Sequence, residues 1–367
     1  MKKILILIAV CICITACQTD NTGTLKTIPV NVDQDSPVNL SEIADDIKKI
    51  SLEVTDESLI SIIRKVIYAD EMLIVFDYRA GVLVFSEEGK FLRKIGNKGQ
   101  GPSEYNTIFD IAYDSDKKII YICTGRRIMS YDIQGVFINE GVFITEVLSR
   151  GAAIYFFLQD GYFNLFAERK EQIGDKLIVY MYIYRMDEDY RIKDSILVNS
   201  IVPTQGIAGG SNVDIVSHAD SKTYVYSKIS AGEPFNRDTL YQLVDNTLIP
   251  SLRLRFSDEG YLLANGIKPT TLRSIWRSDR FLFAHYTKFI DIMYVPNENV
   301  IFMHDLKTEN SFNIIGGIND DVYNAGKVLL RPLHNESDLF YCIVTPKLLD
   351  ASKEEPNPDV YIGRYRK

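Results

Sequence analysis

The segment 72–95, MLIVFDYRAGVLVFSEEGKFLRKI, decides the fold because its pattern occurs twice in the chain. At a shift of 46 residues it falls on 118–141, KIIYICTGRRIMSYDIQGVFINEG. Each copy contains three apolar runs rich in β-branched or aromatic residues, separated by two short turns. The second turn of each copy carries a glycine, Gly89 and Gly135, which can adopt the positive φ of a hairpin. The pattern therefore indicates a repeated antiparallel unit.

A period in the forties with three or four strands per unit is typical of β-propeller blades, because neighbouring blades cover the faces that one blade leaves open. A weaker third copy lies at 182–190, YIYRMDEDY, where Asp189 takes the place of the glycine. About 320 residues divided by a period of roughly 46–55 give six or seven blades. We expect an all-β chain with one propeller domain over 27–367, built from four-stranded antiparallel blades. An N-terminal strand should join the C-terminal strand and close the ring.

A glycine-rich stretch at residues 95–105, IGNKGQGPSEY, links the two clear copies and contains three glycines and one lysine. A phosphate-binding loop needs GxxxxGK[ST] followed by a helix, and a dinucleotide fingerprint also needs a helix. The glycines here have a different spacing, and a strand-like run follows them. The stretch is therefore interpreted as a turn between blades, in which Pro102 fixes φ while Glu104 and Tyr105 hold the loop against the next blade.

This loop and the turn after it resemble the signature of the NHL-like six-bladed β-propeller lipoproteins of bacteria. That signature reads GxGxGPxEY, then a strand, then an aromatic-Asp-x-x-Gly turn. The matching residues are Gly99, Gly101, Pro102, Glu104 and Tyr105 in the loop and Tyr131, Asp132 and Gly135 in the turn. DTLYQL at 238–243 and NPDVYI at 357–362 resemble later segments of the same family. The resemblance implies six blades and an envelope location, and it carries over no catalytic residues.

The N-terminus has the pattern of an export signal. Lys2 and Lys3 precede an uncharged apolar run that is too short to span a membrane. The residues before and including Cys17, ITAC, resemble the lipobox of bacterial lipoproteins, in which the cysteine is lipidated and becomes the N-terminus. The alternative is a plain signal peptide that is cut elsewhere. We expect a lipoprotein signal peptide over 1–16, a lipidated tether over 17–26, and lipid anchoring in the cell envelope at the outer membrane.

The charge of the chain limits its partners. The formal net charge is −8, and removal of the signal peptide with its two lysines lowers it to −10. An acidic chain is a poor partner for nucleic acid, which requires a basic face. It also binds anionic lipid poorly, so we expect the lipid on the N-terminus to provide the contact with the membrane.

Cysteine and histidine patterns give no clear metal site. Cys123 and Cys342 lie in apolar runs and are interpreted as buried free thiols, with a disulfide as the alternative in an oxidising periplasm. The four histidines are far apart in sequence, and the chain contains no CxxC, HExxH or GxSxG motif. The sequence 114–116, DSD, is interpreted as a turn, because it lacks the later glycine and glutamate of a calcium loop. No cofactor is evident; calcium remains open, because propeller axes gather residues from several blades.

Two basic clusters are candidate binding residues. Arg126 and Arg127 lie in the turn of the second copy, and LRSIWRSDR at 272–280 contains Arg273, Trp276, Arg277 and Arg280. Arginine and tryptophan often anchor interfaces, and arginine binds carboxylates. The alternative is that these are surface arginines beside one packed tryptophan.

Three functions follow from these observations. The first is a non-catalytic binding or scaffold module for a peptide, glycan or protein partner. The second is a calcium-dependent propeller enzyme, such as a lactonase or a lyase. The third is a structural accessory lipoprotein of an outer-membrane complex. Converging acidic, amide or imidazole side chains on the axis would favour the enzyme.

Overall fold

Six small antiparallel sheets lie in a ring around a central axis, which makes the chain a six-bladed β-propeller. The computed structural model describes residues 25–124, 127–142, 153–202, 215–227, 237–261, 269–289, 296–333, 336–345 and 356–367. Within each blade, strands that follow one another in the chain run from the innermost position outward. The N-terminal segment adds an outer strand to two blades: a fifth strand to blade 4 and the fourth strand to blade 6.

The strands follow the chain blade by blade. The N-terminal segment contributes β1 (Lys26–Val30), α1 (Leu40–Ile43) and β2 (Ala44–Ser51). Blade 1 consists of β3 (Ile63–Ala69), β4 (Met72–Asp77), β5 (Gly81–Ser86) and β6 (Phe91–Ile95), and the link after it contains β7 (Asn97–Lys98) and β8 (Glu104–Tyr105). Blade 2 consists of β9 (Asp110–Asp114), β10 (Ile119–Cys123), β11 (Arg127–Asp132) and β12 (Phe137–Val142). Blade 3 consists of β13 (Ala153–Gln159), β14 (Tyr162–Ile173), β15 (Lys176–Met186) and β16 (Ile192–Ile201).

The second half continues in the same way. Blade 4 consists of β17 (Val216–Ala219), β18 (Lys222–Val225), β19 (Thr239–Val244) and β20 (Thr247–Phe256). Blade 5 consists of β21 (Thr270–Arg277), β22 (Phe281–Phe289), β23 (Pro296–Asp305) and β24 (Ser311–Ile315). A small hairpin, β25 (Ile318–Asp320) and β26 (Gly326–Val328), precedes blade 6, which consists of β27 (Arg331–Pro332), β28 (Leu339–Val344), β29 (Asp359–Tyr365) and β2.

The repeat at a shift of 46 residues is confirmed, because β4 to β6 correspond to β10 to β12. Gly89 and Gly135 occupy equivalent turns with φ of +85° and +84°. In the third copy Tyr190, not Asp189, takes the glycine position, with φ of +60°. The predicted alignment was therefore one residue out. The ring of Tyr190 offsets the strain of this φ, because it stacks on Phe163 at 5.1 Å in the core between blades 2 and 3.

The N-terminal segment runs along the outer edges of blades 4, 5 and 6. β1 pairs with β20 in parallel and becomes the fifth strand of blade 4. The amide of Ser36 then donates to the carbonyl of Asn313 in β24 at 2.7 Å. β2 pairs antiparallel with β29 and completes blade 6, so the predicted closure of the ring by an N-terminal strand is confirmed. The first strand, however, supports blade 4 instead.

The core is a series of apolar layers between neighbouring blades. Six buried clusters fill the six junctions of the ring, and the cluster between blades 6 and 1 joins Tyr341 to Leu73. Aromatic rings supply much of this burial, as in the stacking of Phe156 on Phe163. A ring whose every junction is filled in this way leaves no blade face exposed.

The two cysteines of the propeller are free and buried, as predicted, and they lie in different blades. Burial raises the pKa of the thiols of Cys123 and Cys342, so both remain protonated and unreactive. In the part of the chain that the structure describes, no helix is long and apolar enough to cross a membrane. Residues 1–24 lie outside that part, so the signal peptide, Cys17 and the tether remain predictions.

Candidate functional site

The glycine-rich loop is a packed turn, as the sequence indicated. The carboxylate of Glu104 accepts the amide of Gly101 at 2.9 Å, and the amide of Gly99 donates to the carbonyl of Tyr105 at 3.2 Å. A Cβ atom at Gly99 would lie only 1.8 Å from Glu104 Oε2. The carboxylate therefore fills the space between the glycines, and these amides are not presented to a phosphate.

Side chains of blade 2 fix this loop. The hydroxyl of Tyr131 donates to the carbonyl of Ser103 at 2.9 Å, and Tyr105 is fully buried beneath the loop. Arg127, a predicted binding residue, donates to the carbonyl of Glu104 at 2.9 Å and pairs with Glu140 at 2.7 Å. Arg127 thus contributes to the link between blades. Arg126 lies outside the described residues.

The predicted cluster around the single tryptophan does not gather at one opening. Trp276 is buried in the core between blades 5 and 6 and stacks on Phe283 at 5.2 Å. Arg277 reaches blade 4, where it pairs with Asp220 at 2.6 Å and lies over the ring of Tyr224 at 4.8 Å. The tryptophan is thus a packing residue, and Arg277 joins two blades.

The other two arginines of this cluster also make contacts within the fold. Arg280 pairs with Asp305 at 2.7 Å and donates to the carbonyl of Lys367 at 3.2 Å. Arg273 donates to the hydroxyl of Thr287 at 3.2 Å. Burial raises the pKa of Asp305, but hydrogen bonds from Arg280 and from nearby backbone amides outweigh it and lower the pKa to about 2.

A buried ion pair lies near the axis, where the innermost strands meet. Lys65 of β3 contacts both carboxylate oxygens of Asp110 in β9 at 3.1 Å and donates to the carbonyl of Ile111 at 2.8 Å. Asp110 also accepts the amide of Phe156 in β13 at 2.8 Å, so the pair ties three blades together. The ammonium group lies over the ring of Tyr155 at 4.5 Å, which stabilises it further.

The channel beside this pair has a cavity of about 260 Å³. Across the described ranges, no three His, Cys, Asp or Glu side chains lie close enough together to hold a metal ion. Lys65, which lines this cavity, is paired with the carboxylate of Asp110. Calcium therefore remains a prediction to which the described residues add no support.

A groove of about 1000 Å³ lies at the junction of blades 6 and 1. One wall is the link 52–62, which leads from β2 to β3, and the other is formed by β6 and the turn between β4 and β5. Blade 6 completes the rim with Thr345, just after β28, and Pro358, just before β29. We refer to this opening as the junction groove.

One buried carboxylate fixes both walls of the junction groove. Asp77, which is fully buried, accepts the amides of Ser61 and Ile62 at 2.8 and 2.6 Å. It also accepts the amides of Arg79 and Ala80 at 2.8 and 2.6 Å. Because one side chain holds both segments, the distance between the link and the turn is set before any ligand arrives.

The rest of the link is held from blade 6. The side-chain carbonyl of Asn357 accepts the amide of Ile60 at 2.8 Å. Its amide group donates to the carbonyls of Glu53 and Ser58, each at 2.9 Å. A single asparagine thus satisfies three backbone groups of the link. The sequence NPDVYI at 357–362 begins with this asparagine, but the family resemblance indicated only a closing strand there.

The junction groove is lined by both apolar and charged side chains, of which Arg93 also donates to the carbonyl of Ile133 in blade 2 at 2.6 Å. Leu59 and Leu92 are 59% and 40% exposed on its two walls. Arg79, Arg93 and Lys94 line one side, and Asp56 and Glu57 line the other. None of these five charged groups forms an ion pair with another described residue. These residues are distant in sequence and come together only in the fold. The repeat pattern alone therefore did not predict the groove.

The described residues thus form a six-bladed β-propeller with a large groove at the junction of blades 6 and 1 and a buried ion pair near the axis. The chain belongs to the family described as "Domain of unknown function (DUF4934)", whose model matches residues 25–362. The family match covers the whole propeller up to β29.

One of the similar solved structures supports the architecture, the one with a TM-score above 0.5. A crystal structure from Bacteroides fragilis, of a protein whose name describes it as exported, is similar with a TM-score of 0.64 and 16% identity, over 93% of this chain and 100% of that chain. A protein of unknown function from Bacteroides caccae gives a TM-score of 0.35 at 10% identity, over 80% and 87% of the two chains. The WD40 domain of Pan2 from Neurospora crassa gives 0.40 at 10% identity, over 83% and 76%. No curated protein matches the sequence.

Proposed function

We propose that the protein is a non-catalytic binding module of the cell envelope, anchored by lipid at Cys17, which holds its partner in the junction groove. The observation that carries the proposal is the groove itself, whose walls are fixed by Asp77 and Asn357 before binding. Preorganised walls lower the entropy lost on association, which favours a recognition surface. A volume of about 1000 Å³ is at the upper end of ordinary ligand pockets, which suits a segment of a larger partner.

The envelope location rests on the N-terminal sequence. The export signal, the ITAC sequence ending at Cys17 and the acidic charge are consistent with an outer-membrane lipoprotein of the NHL-like kind. The similar protein from Bacteroides fragilis, described as exported, agrees with this location. Incorporation of labelled palmitate tests the anchor: we expect label in the full-length wild type and none in Cys17→Ser. Label in both proteins would refute attachment at Cys17.

A photo-crosslinking amino acid tests the groove in intact cells. The crosslinker at position 59, on the exposed wall, should give a discrete adduct with one envelope component. The same amino acid at position 173, which is 55% exposed at the far end of a blade 3 hairpin, serves as the control. Equal crosslinking at both positions, or none at position 59, would refute the groove as the binding site.

The calcium-dependent enzyme is tested separately. A melting temperature that rises with calcium and falls again with EDTA would reveal a metal bound to the folded state, because a ligand of the native state stabilises it by mass action. We expect the melting temperature to be the same with calcium and with EDTA.

A further inference from the structure

A second opening lies at the junction of blades 3 and 4, three blades away from the junction groove. It is a cavity of about 340 Å³ between β16 and the strands β19 and β20, and nearly all of the side chains that line it are polar. The rest of this junction is an apolar layer that includes Ile196 and Leu243. Polar groups at such a junction need polar partners, so the cavity suits a polar occupant. We refer to it as the polar cavity.

The segment 238–243, DTLYQL, builds much of the polar cavity. Asp238, Thr239 and Tyr241 line it, whereas Leu240 is buried in the layer between blades 4 and 5. Successive side chains of a strand point to opposite faces, which is why Thr239 and Tyr241 share the side towards blade 3. A segment that sequence analysis assigned only to a family resemblance thus contributes three side chains to one cavity.

The charges of the polar cavity balance one another. Two arginines, Arg237 and Arg253, and two carboxylates, Asp238 and Glu259, line it. Asp238 accepts Nε of Arg253 at 2.7 Å and the hydroxyl of Thr239 at 2.9 Å, and a second nitrogen of Arg253 lies 3.4 Å from Glu259. An ionic ligand would therefore meet no excess of opposite charge here. The balance favours a neutral ligand.

Several hydrogen-bonding groups around the polar cavity have capacity left for a ligand. Ser227, which is 4% exposed, accepts a hydrogen bond from Asn199 at 2.5 Å, but its own proton has no acceptor among the described residues. In the same part of the chain, the hydroxyl of Tyr241, Nη1 of Arg253 and Oε2 of Glu259 form no hydrogen bond. This set contains both donors and acceptors, and a hydroxyl group is the partner that serves both.

We propose that the polar cavity binds a neutral sugar unit of a glycan. A sugar carries several hydroxyls at neighbouring carbons, which pair with Ser227, Tyr241, Arg253 and Glu259, and its C–H groups contact Val198 beside them. A volume near the lower end of ordinary ligand pockets suits one sugar unit at the end of a longer glycan. This inference goes beyond the proposed function, because the polar cavity and the junction groove lie at different junctions.

A printed array of neutral and sialylated glycans, probed with the full-length protein in detergent, tests the proposal. We expect saturable binding to neutral glycans and about fivefold weaker binding by Tyr241→Phe, which loses one hydroxyl. Tyr261→Phe, at a tyrosine that is 64% exposed and does not line the cavity, is the matched control and should bind as the wild type does. The melting temperatures of both variants are checked first. Equal binding by Tyr241→Phe and the wild type, binding to sialylated glycans only, or no binding to any neutral glycan would overturn the proposal.

Deoxygenated derivatives of the best-bound sugar locate the contact. Removal of the hydroxyl that pairs with Tyr241 should weaken binding to the wild type about fivefold and leave binding to Tyr241→Phe unchanged, because the two changes remove the same hydrogen bond. If every derivative loses the same factor with both proteins, the sugar does not contact this tyrosine and the proposal fails. Crosslinking at position 59 reports on the junction groove alone, so the two proposals fail independently.

Discussion

The side-chain carbonyl of Asn357 accepts the backbone amide of Ile60 at 2.8 Å, although the two residues are 297 positions apart in the chain. This bond joins blade 6 to the link that enters blade 1, at the point where the ring closes. The closure of the propeller and the wall of the junction groove therefore depend on the same side chain. A partner that binds in the groove would therefore contact a wall that forms only when the ring is closed.

Replacement of this asparagine should loosen the link. Asn357→Ala leaves the amide of Ile60 and the carbonyls of Glu53 and Ser58 without their partner, and the free energy of unfolding should fall by about 2 kcal/mol. Urea denaturation measures the change. Asn97→Ala, at an exposed asparagine of the same groove, should stay within about 0.5 kcal/mol of the wild type. Equal stability of all three proteins would show that the link is held by other contacts.

Close contact between Gly141 and Tyr190 gives a second prediction. A Cβ atom at Gly141 would lie 1.8 Å from the Tyr190 ring, which is buried and stacked on Phe163. Gly141→Ala should therefore lower the free energy of unfolding by about 1–3 kcal/mol, as overpacking does.

The control for this prediction is a double-mutant cycle. Tyr190→Gly removes the ring and accepts the positive φ of this turn, but it also leaves a cavity. In this background Gly141→Ala should have no further effect on stability. If the effect of Gly141→Ala is the same in both backgrounds, the ring is not the obstacle.

The repeat was enough to predict the architecture. Blade length, the positions of three strands per copy and the glycine turns follow from local residue patterns, which is why 72–95 and 118–141 define two blades correctly. The third copy was placed one residue out, because Tyr190 adopts a conformation that the sequence pattern reserves for glycine. Packing of the Tyr190 ring in the core between two blades offsets the strain of this conformation. A local sequence pattern carries no information about such packing.

The junction groove could not be predicted in the same way. Its walls come from the link 52–62, from the turn after β4 and from Pro358, and only ring closure brings them together. The sequence instead drew attention to Trp276, because tryptophan and arginine are frequent in interfaces. Burial decides between binding and packing, and burial depends on the neighbouring blade.

The ion pair near the axis gives a third prediction. Lys65→Met leaves the carboxylate of Asp110 buried without its counter-charge, so the free energy of unfolding should fall by about 3–5 kcal/mol. Chemical denaturation of the purified protein measures this loss. In the double variant Lys65→Met/Asp110→Asn no unpaired charge remains, and stability should recover in part relative to the single variant. If the double variant is the less stable of the two, the loss does not arise from the unpaired charge.

Acid should weaken the contact between Arg280 and Asp305. Because the folded-state pKa of Asp305 is lowered to about 2, its ionised carboxylate stabilises the fold at every pH above the unfolded pKa near 3.9. This contribution, about 2 kcal/mol, is lost as the pH falls from about 4 through 2. The difference in free energy of unfolding between the wild type and Asp305→Asn should therefore be constant from pH 7 to 5 and shrink below pH 4. Asp116→Asn, at an exposed turn, provides the reference curve, which should run parallel to that of the wild type. A difference between the wild type and Asp305→Asn that does not change with pH would mean that asparagine loses packing or geometry rather than charge.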